Sequence, residues 1–441
     1  MTAYHEPARD VPVIEEADVV VCGGGPAGVA AAIAAARSGA RTCLLEMHGC
    51  LGGIWTAGLL SWLIEPRDKP GIMDEITAAL YARGSYAPRG RSDHAYAYAP
   101  EVMKLVLEEM AEAAGVKTQL FTHVCAAARG ANNRLDCVLT ESKSGRQAWR
   151  AKAFVDATGD GDLAAQAGCK FDLGRDGTGE CQPMSLECLF TGVQAKDIEP
   201  FIGGRASEPK KRLLAEMQRA GVTPSYAAPT ILRIRDDLFC LAANHEYNVS
   251  AVDAGQITAA TIRARAELHR LVDALRGLGA PWATMQIVVT GEQIGVREGR
   301  RIRGLYQVTI EDLMAGARHE DAICRLYFGI DVHSPNPGKS KGFSSENRGR
   351  TKPYDIPLRA LIAKDVDGLL MAGRNISGDF LAHSSYRITG GAVGMGQAAG
   401  VAAAVAAASN RTPREVPWAD FKPALDRVIA GAVETAKKNK P

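Results

Sequence analysis

Apolar and small residues alternate in distinct blocks along the first fifty positions. A β-branched apolar run at 17–22 (ADVVVC) ends in a glycine cluster, an alanine-rich stretch without helix breakers follows at 27–38, and another apolar run covers 41–45. Short continuous apolar runs are typical of strands buried in a parallel sheet, and the unbroken small-residue stretch favours a helix. The pattern predicts a strand, a helix and a strand joined as a right-handed βαβ unit.

Later parts of the chain carry other periods. Short alternating runs separated by turn residues at 117–155 predict a β-meander of three antiparallel strands. A strand at 368–372, a loop to 389 and a helix from about 391 to 408 are expected near the end. One more helix is predicted from apolar side chains that share a face: Ile257, Leu268, Leu271, Leu275 and Leu278. Together these elements indicate the α/β fold class.

Composition and charge narrow the class of protein. The chain has 441 residues, of which 46 are glycine and 23% are charged, so disorder and collagen are excluded. Lys and Arg number 52 against 50 Asp and Glu, a balance that gives no field for collecting nucleic acid or an anionic membrane. The most apolar stretch, 393–408, is shorter than a membrane span requires.

Ten scattered cysteines without a Cys-x-x-Cys pair fit buried free thiols in a reducing cytosol. No signal peptide is visible in the first sixteen residues. We therefore expect a cytoplasmic protein whose partner is a small-molecule substrate, with no nucleic-acid or membrane partner. A homo-oligomer stays open.

The glycine cluster after the first strand has the spacing of a dinucleotide-binding turn. Gly23, Gly25 and Gly28 fit G-x-G-x-x-G, which serves a tight turn, a close approach of pyrophosphate to the backbone, and helix packing on the strand. The helix that follows would offer free N–H groups and a partial positive charge to the diphosphate. Glu46 stands at the end of the second strand, where its carboxylate can accept hydrogen bonds from ribose hydroxyls. This arrangement predicts dinucleotide binding but does not distinguish FAD from NAD.

Further segments carry a resemblance to a known family. They are HGCLGGIWTAG at 48–58, PEVMKLVLEEMAEAAGV at 100–116, VDATGDGD at 155–162, IGVREGRRIRG at 294–304, PYDIPLRALI at 353–362, and LLMAGRNISGDFLAHSSYRITGGAVGMGQAAG at 369–400. With them the sequence resembles the FAD-dependent oxidoreductase family of the glutathione-reductase-type flavoprotein fold, in the branch with a single nucleotide-binding domain. The resemblance covers most of residues 15–410 and implies FAD as the cofactor.

The resemblance also implies how the chain is divided. A Rossmann-like FAD-binding domain with a parallel sheet and the antiparallel meander would be built from residues 1–165 and 353–441. An inserted α+β substrate domain would cover 166–352. Because no second G-x-G-x-x-G follows and the closest cysteine pair, Cys43 and Cys50, lacks the redox spacing, we expect neither an NAD(P)H domain nor a dithiol relay.

The cofactor residues implied by the resemblance lie in several segments. The first glycine turn would hold the pyrophosphate and Glu46 the AMP ribose, while the glycines near 52 would follow the ribityl chain and the flavin. The helix near 391 would direct its positive dipole end at the flavin, although its small residues also suit plain close packing. The full set is Gly23, Gly25, Pro26, Ala27, Gly28, Glu46, Met47, Gly52, Gly53, Trp55, Thr56, Val124, Ala157, Thr158, Gly159, Asp160, Gly373, Arg374, Gly391 and Val393.

Three residues in the predicted loop before the last helix are candidates for catalysis. His383 can move a proton near neutral pH, Tyr386 can donate a hydrogen bond, and Arg387 can bind a carboxylate. The alternative is that they hydrogen-bond the loop to itself.

Other polar residues leave further alternatives open. An arginine run, Arg297 to Arg303, fits either an acidic substrate or a salt-bridged turn with nearby acidic residues. His245 with Tyr247, and His333, are pocket candidates in the central block. No group of His, Cys, Asp or Glu has metal-ligand spacing, so no metal site is predicted.

The function that follows is hydride transfer between a small organic substrate and FAD, by a dehydrogenase or an oxidase whose electron partner is left open. The segment from Gly378-Asp379 to His383 is similar to the Gly-Asp-x-x-His signature of flavin hydroxylases, but it is one residue too long and lacks the usual proline. An FAD-dependent monooxygenase is therefore an alternative. A protein with structural, non-redox FAD and a non-catalytic nucleotide-binding module are two more.

Overall fold

The computed structural model describes residues 3–85, 95–203, 207–335 and 351–438. The strands are β1 (Val13–Cys22), β2 (Thr42–Leu45), β3 (Trp62–Ile64), β4 (Ala95–Ala97), β5 (Lys117–Gln119), β6 (His123–Arg129), β7 (Leu135–Ser142), β8 (Gly145–Asp156), β9 (Phe171–Asp172), β10 (Glu187–Thr191), β11 (Thr230–Arg235), β12 (Leu238–Ala242), β13 (Gln286–Thr290), β14 (Arg301–Ile302), β15 (Ala322–Leu326), β16 (Tyr354–Pro357) and β17 (Leu369–Met371).

The α-helices are α1 (Pro26–Arg37), α2 (Ile72–Ala82), α3 (Pro100–Ala113), α4 (Asp162–Gln166), α5 (Ala195–Ile198), α6 (Ser207–Arg219), α7 (Ala254–Gly277), α8 (Ile310–Ala315), α9 (Phe380–Tyr386), α10 (Thr389–Ala408) and α11 (Trp418–Lys438). Short 3-10 helices lie at Gly53–Trp55, Ala131–Asn133, Glu199–Phe201, Leu358–Ala360 and Pro413–Glu415.

The main sheet has the strand order β5-β2-β1-β8-β7-β6, with β17 paired beside β8. Strand β1 is parallel to both β2 and β8, and β17 is parallel to β8. The apolar run Val19–Cys22 is completely buried because it lies in the middle of this sheet and is covered on both faces. The predicted α/β class with a parallel sheet is confirmed.

The segment expected to form three antiparallel strands is divided differently in the structure. Strands β6, β7 and β8 pair antiparallel, and β8 then continues as the parallel neighbour of β1. The preceding strand β5 pairs parallel with β2. Strands β5 and β6 are separate because Phe121 takes a left-handed φ of 53° between them and turns the chain.

Helices α1 and α10 pack closely against each other beside the main sheet. A Cβ placed on Gly396 would lie 2.0 Å from the carbonyl oxygen of Ala27, and one on Gly400 would lie 2.0 Å from that of Ala31. The helix α10 is long and apolar enough to cross a membrane by length and composition, but 89% of its most apolar window is buried inside the protein. Its apolar character is explained by this position in the core.

A second sheet with the order β11-β12-β10-β13 forms a separate hydrophobic core with α6 and α7. The predicted apolar face of α7 supplies Leu268, Leu271 and Leu275 to it, all fully buried. This core includes residues between 184 and 294, whereas Ile302 and Leu326 pack in the main core. The second core is therefore shorter than the expected substrate domain at 166–352.

Candidate functional site

One long cleft crosses the carboxyl ends of four parallel strands. Its wall includes Gly23 after β1, Glu46 after β2, Ala157 after β8, and Ala372 after β17. From there it continues below the second sheet, where Glu187 of β10 lies on its wall. In open parallel sheets, ligands bind outside the carboxyl ends of the strands. The described residues therefore place the ligand site at this edge.

The three motif glycines of the first turn have different surroundings. A Cβ on Gly23 would lie 2.4 Å from the oxygen of Ala157, and one on Gly28 would lie 1.7 Å from the oxygen of Gly23. A Cβ on Gly25 would meet no atom of the described residues within 4 Å, and Gly25 lines the cleft with Pro26 and Ala27. Gly23 and Gly28 thus permit tight packing, while Gly25 leaves space in front of the start of α1. That space fits a pyrophosphate.

Glu46 is a buried carboxylate on the wall of the cleft. Its Oε2 accepts a hydrogen bond from the backbone N–H of Gly24, and its Oε1 accepts one from that of His48 at 2.8 Å. The side chain therefore ties the glycine turn to the end of β2. Met47 lies beside it on the wall, as does Val124. Their neighbours Thr122 and His123 also line the cleft, although no sequence motif points to them.

The second glycine cluster lines the cleft in part. The N–H of Gly52 donates to the oxygen of Gly24 at 2.7 Å, which joins the two glycine loops, and Gly53 reaches the wall. Trp55 and Thr56 were expected along the flavin but are buried behind the wall, and the Thr56 hydroxyl donates to the oxygen of Leu51 at 2.6 Å.

The segments after β8 and β17 meet on the opposite side of the cleft. Thr158, Gly159 and Gly373 line the wall with Arg374. Asp160 lies behind them, and its Oδ1 accepts a hydrogen bond from Arg374 Nη1 at 3.0 Å. Asp160, which was expected to contact the cofactor, is thus not itself on the wall that the described residues form. It fixes the guanidinium of Arg374, which is on that wall.

The predicted loop after β17 contains the helix α9. The side chain of Asp379 caps it by accepting the N–H of Ala382 at 2.7 Å. This helix turns His383 and Tyr386 into the protein, where both are fully buried and their rings meet edge to face at 5.3 Å. Neither belongs to the wall that the described residues form.

Because these two side chains point inward, burial determines their hydrogen bonding and protonation. The Tyr386 hydroxyl donates to the oxygen of Ile376 at 3.0 Å, and burial lowers the pKa of His383 well below its usual value. His383 is therefore a neutral core side chain. Arg387 follows α9 directly and does line the cleft.

The start of α10 presents other residues to the cleft than expected. Thr389 and Ala392 line the wall, whereas a Cβ on Gly391 would lie 2.9 Å from the side chain of Leu326, and Val393 is buried in the core. The helix begins at Thr389 and not near 391.

A polar cluster occupies the end of the cleft below the second sheet. Arg297 Nη1 donates to the oxygen of Pro183 at 2.7 Å and to the hydroxyl of Ser185 at 2.8 Å. Arg387 Nη2 donates to the backbone oxygen of Asp331 at 2.8 Å and lies 3.6 Å from its Oδ2. Since Arg297 and Arg387 both line the cleft, two guanidinium groups face the same space.

Asp331 and His333 form an acid–imidazole pair on this wall. The two atoms Asp331 Oδ2 and His333 Nε2 are 3.4 Å apart. Burial, followed by Arg297, lowers the pKa of His333 to about 4. Burial alone would raise the pKa of Asp331, but His333 and Arg387 hold it well below its usual range. At neutral pH the pair is therefore a carboxylate beside a neutral imidazole.

An aromatic layer lies behind this pair. The ring of His245 is 5.1 Å from that of His333 and 4.2 Å from that of Tyr226. His245 Nδ1 lies 3.2 Å from the hydroxyl of Tyr247. Of the two histidines predicted as pocket candidates, His333 lies on the cleft wall and His245 lies one layer behind it.

Glu187 is the other carboxyl group at this end of the cleft. Its Oε2 accepts a hydrogen bond from the Cys240 thiol at 3.1 Å, and burial raises the pKa of Glu187 to about 7. No motif identified this residue, because it lies inside an ordinary apolar strand.

The arginine run divides between the two interpretations that the sequence left open. Arg300 pairs with Asp162 at 2.8 Å, Arg303 pairs with Asp172 at 2.8 Å, and the buried Arg301 pairs with Glu298. These three arginines are structural, whereas Arg297 faces the cleft. Within the described ranges, no group of three or more His, Cys, Asp or Glu side chains is placed to hold a metal ion.

Comparison with solved structures gives similar folds at low sequence identity. A geranylgeranyl bacteriochlorophyll reductase-like protein from Thermoplasma acidophilum is 14% identical, with 96% of this chain and 86% of that chain covered and a TM-score of 0.49. The p-nitrophenol 4-monooxygenase PnpA from Pseudomonas putida is 13% identical, with 97% and 89% covered and a TM-score of 0.48. The myxobacterial chondrochloren halogenase CndH is 15% identical, with 94% and 79% covered and a TM-score of 0.47.

A search of the curated proteins gave no match. The sequence model of the FAD dependent oxidoreductase family, in contrast, matches residues 18–425. That range contains both glycine clusters, the four strand ends and the polar cluster. The chain therefore belongs to the FAD-dependent oxidoreductase family, and its cofactor is FAD.

Proposed function

We propose that the chain is a cytoplasmic enzyme that transfers a hydride between a small organic substrate and FAD. The observation that carries this proposal is the continuation of the cleft from the glycine turns into a buried polar cluster around Asp331 and His333. FAD supplies the two-electron acceptor or donor when it is bound. The protein must then bind the substrate beside it, orient it and manage its proton.

The glycine turns and strand ends hold the cofactor in this proposal. Gly25 and the first N–H groups of α1 would bind the pyrophosphate, because the space in front of them is open and the first turn of α1 has no acidic residue. Arg374, held by Asp160, would add a positive charge on the other side. Residues 1–165 and 353–441 would supply these groups, and the inserted unit would close the cleft over the substrate.

His333 is the group that we propose to accept and return the substrate proton. Its imidazole is neutral at physiological pH, lies on the cleft wall, and has Asp331 Oδ2 at 3.4 Å from Nε2. A carboxylate in this position stabilises the imidazolium that forms when the ring takes a proton. Asp331 is thus a positioning residue for His333.

Hydroxylation receives less support from the geometry. The segment similar to the hydroxylase signature contains Asp379, whose two carboxylate oxygens accept the N–H groups of Ala382 and Ile310. Asp379 caps α9 in this way and is not among the residues on the described cleft wall. We therefore prefer a dehydrogenase or an oxidase to a monooxygenase.

The proposal is tested by an anaerobic screen of small organic compounds against the FAD-loaded protein, with flavin absorbance as the readout. We expect at least one compound to bleach the flavin, and the variant His333→Gln to slow that reduction about 100-fold while FAD stays bound. His269→Gln, an exposed change on α7, is the matched control and should leave the rate unchanged. A variant His333→Gln that reduces its flavin as fast as the parent protein would remove His333 from this role.

A further inference from the structure

Two guanidinium groups are anchored side by side at the substrate end of the cleft. The segment 182–185 holds both: Arg297 Nη1 donates to the oxygen of Pro183 at 2.7 Å, and Arg387 Nη2 lies 3.3 Å from Gln182 Oε1. Both side chains come from positions far apart in the chain and line the same cavity. Their convergence is therefore a property of the fold and not of a local turn.

Each guanidinium has further N–H donors that these anchoring hydrogen bonds do not use. In the described part of the chain, Arg297 uses Nη1 for its side-chain anchors and Arg387 uses Nη2, while Arg387 Nε is buried without a hydrogen-bond partner. A guanidinium has five N–H donors in a planar fork, a geometry that matches a carboxylate. Both residues can thus offer N–H groups to a ligand.

Positive charge exceeds negative charge at this end of the cleft. Asp331 faces the two guanidinium groups, and His333 is neutral because burial and Arg297 lower its pKa. Glu298 also acts on Arg387, but its ion pair is with Arg301. Burial raises the pKa of Glu187 to about 7, so this carboxyl group is only partly ionised near neutral pH. The other three arginines of the run form ion pairs with carboxylates away from this end of the cleft.

Such an excess of buried charge is unfavourable unless a counter-charge is present. Burial also lowers the pKa of Arg387 to about 10, and Arg297 adds to this effect by repulsion. A ligand with a negative charge would remove this repulsion and satisfy the remaining donors.

We propose that the substrate is an organic carboxylate whose carboxylate group is bound jointly by Arg297 and Arg387. This assignment rests on the proposed function, since it names the substrate class of the same site. His333 lies beside the two arginines on the wall, so the bound carboxylate would place an adjacent carbon within the polar cluster.

The experiment measures binding to the FAD-loaded protein by calorimetry at constant ionic strength. The probes are acetate, pyruvate and benzoate, each compared with a neutral counterpart such as acetamide or benzamide. We expect the carboxylates to bind at least about 10-fold more tightly than the neutral compounds. The variants Arg297→Met and Arg387→Met should each weaken carboxylate binding about 10- to 150-fold, the range for loss of hydrogen bonds to a charged group.

The matched control is Arg303→Met, which removes a half-exposed arginine of the same run whose partner is Asp172. It should not change carboxylate binding. Retained FAD and an unchanged circular dichroism spectrum establish that each variant is folded. Arg297→Lys and Arg387→Lys replace any methionine variant that loses FAD, and because they keep the charge but not the fork, they should weaken binding less.

Equal affinities for benzoate and benzamide would overturn the proposal, as would the absence of binding by all three carboxylates or unchanged affinity in both arginine variants. The proposed function fails in a different way: carboxylates bind with the predicted arginine dependence, but no compound reduces the flavin. Conversely, reduction by neutral compounds without an effect of either arginine leaves the hydride-transfer proposal intact and removes the carboxylate.

Discussion

Gly25 and Gly28 provide a test of the cofactor site in which two similar substitutions have opposite consequences. Both residues belong to the same turn and both would gain one methyl group on replacement by alanine. At Gly25 the new Cβ meets no described atom within 4 Å, and its φ of −69° and ψ of −175° are open to any residue. At Gly28 the new Cβ would lie 1.7 Å from the oxygen of Gly23.

The expected magnitudes follow from these distances. Alanine is a poorer N-cap than glycine by about 0.5–1 kcal/mol, but it reduces the entropy of the unfolded chain by a similar amount, so Gly25→Ala should change the free energy of unfolding by less than about 1 kcal/mol. The methyl group would stand between the backbone and the pyrophosphate. Loss of one charge-assisted hydrogen bond there is worth about 1.5–3 kcal/mol, or about 10- to 150-fold in FAD affinity.

Gly28→Ala should act on the fold first. A normal carbon–oxygen contact is about 3.3–3.6 Å, so α1 would have to move away from the turn by roughly 1.6–1.9 Å. Overpacking against the backbone of the turn should cost about 3 kcal/mol of unfolding free energy, since the oxygen that the methyl group meets belongs to the main chain and not to a flexible side chain.

The assay combines urea unfolding of the apoprotein with titration of FAD into it. The prediction is a Gly25→Ala protein of normal stability that binds FAD weakly, and a Gly28→Ala protein that is strongly destabilised. A Gly25→Ala protein with unchanged FAD affinity would show that the pyrophosphate does not lie against this residue. A stable Gly28→Ala protein would refute the close contact between α1 and the turn.

Two further predictions concern buried charges. Because the folded pKa of Glu187 is about 7 against a usual 4.5, the folded protein holds its proton more tightly, and stability falls as pH rises from about 5 to 7. Glu187→Gln keeps an acceptor for the Cys240 thiol. It should be more stable than the parent protein by about 3 kcal/mol at pH 8, and about as stable as the parent at pH 4.5. A difference in unfolding free energy that does not vary with pH would contradict this prediction. Glu298→Ala should lower the unfolding free energy by about 3–5 kcal/mol, because it leaves Arg301 buried without its partner, and a change below about 1 kcal/mol would contradict that ion pair.

The fold was predictable from sequence where local patterns and global packing agree. The continuous apolar run of β1 is buried on both faces, as its composition requires. The division between β5 and β6 was not predictable, because a single left-handed residue, Phe121, transfers the chain from one sheet neighbour to another. A left-handed phenylalanine has no signature in the sequence, since its conformation is imposed by the packing around it.

The first glycine turn was more predictable than the far end of the cleft. The glycine spacing identified the turn because a side chain on Gly23 or Gly28 would collide with a backbone oxygen, while Gly25 keeps the space in front of α1 open. Near the end of the chain the same kind of inference was less accurate, since His383 and Tyr386 lie on a helix that turns them inward. The segment is predicted as a loop, whereas in the structure Asp379 caps a helix there by accepting the N–H of Ala382.

The arginine run shows what kind of information a sequence lacks. Four arginines lie within seven positions, and one of the two interpretations pairs them with acidic residues nearby in the sequence. In the structure the partners of Arg300 and Arg303 are Asp162 and Asp172, more than a hundred positions away, and only tertiary contacts make those pairs. Arg297 differs from them because the segment 182–185 turns it toward the cleft. Arg297 is available for a ligand because, among the described residues, the other three arginines of the run, and not Arg297, form ion pairs with carboxylates. Which arginines are paired is decided by the fold.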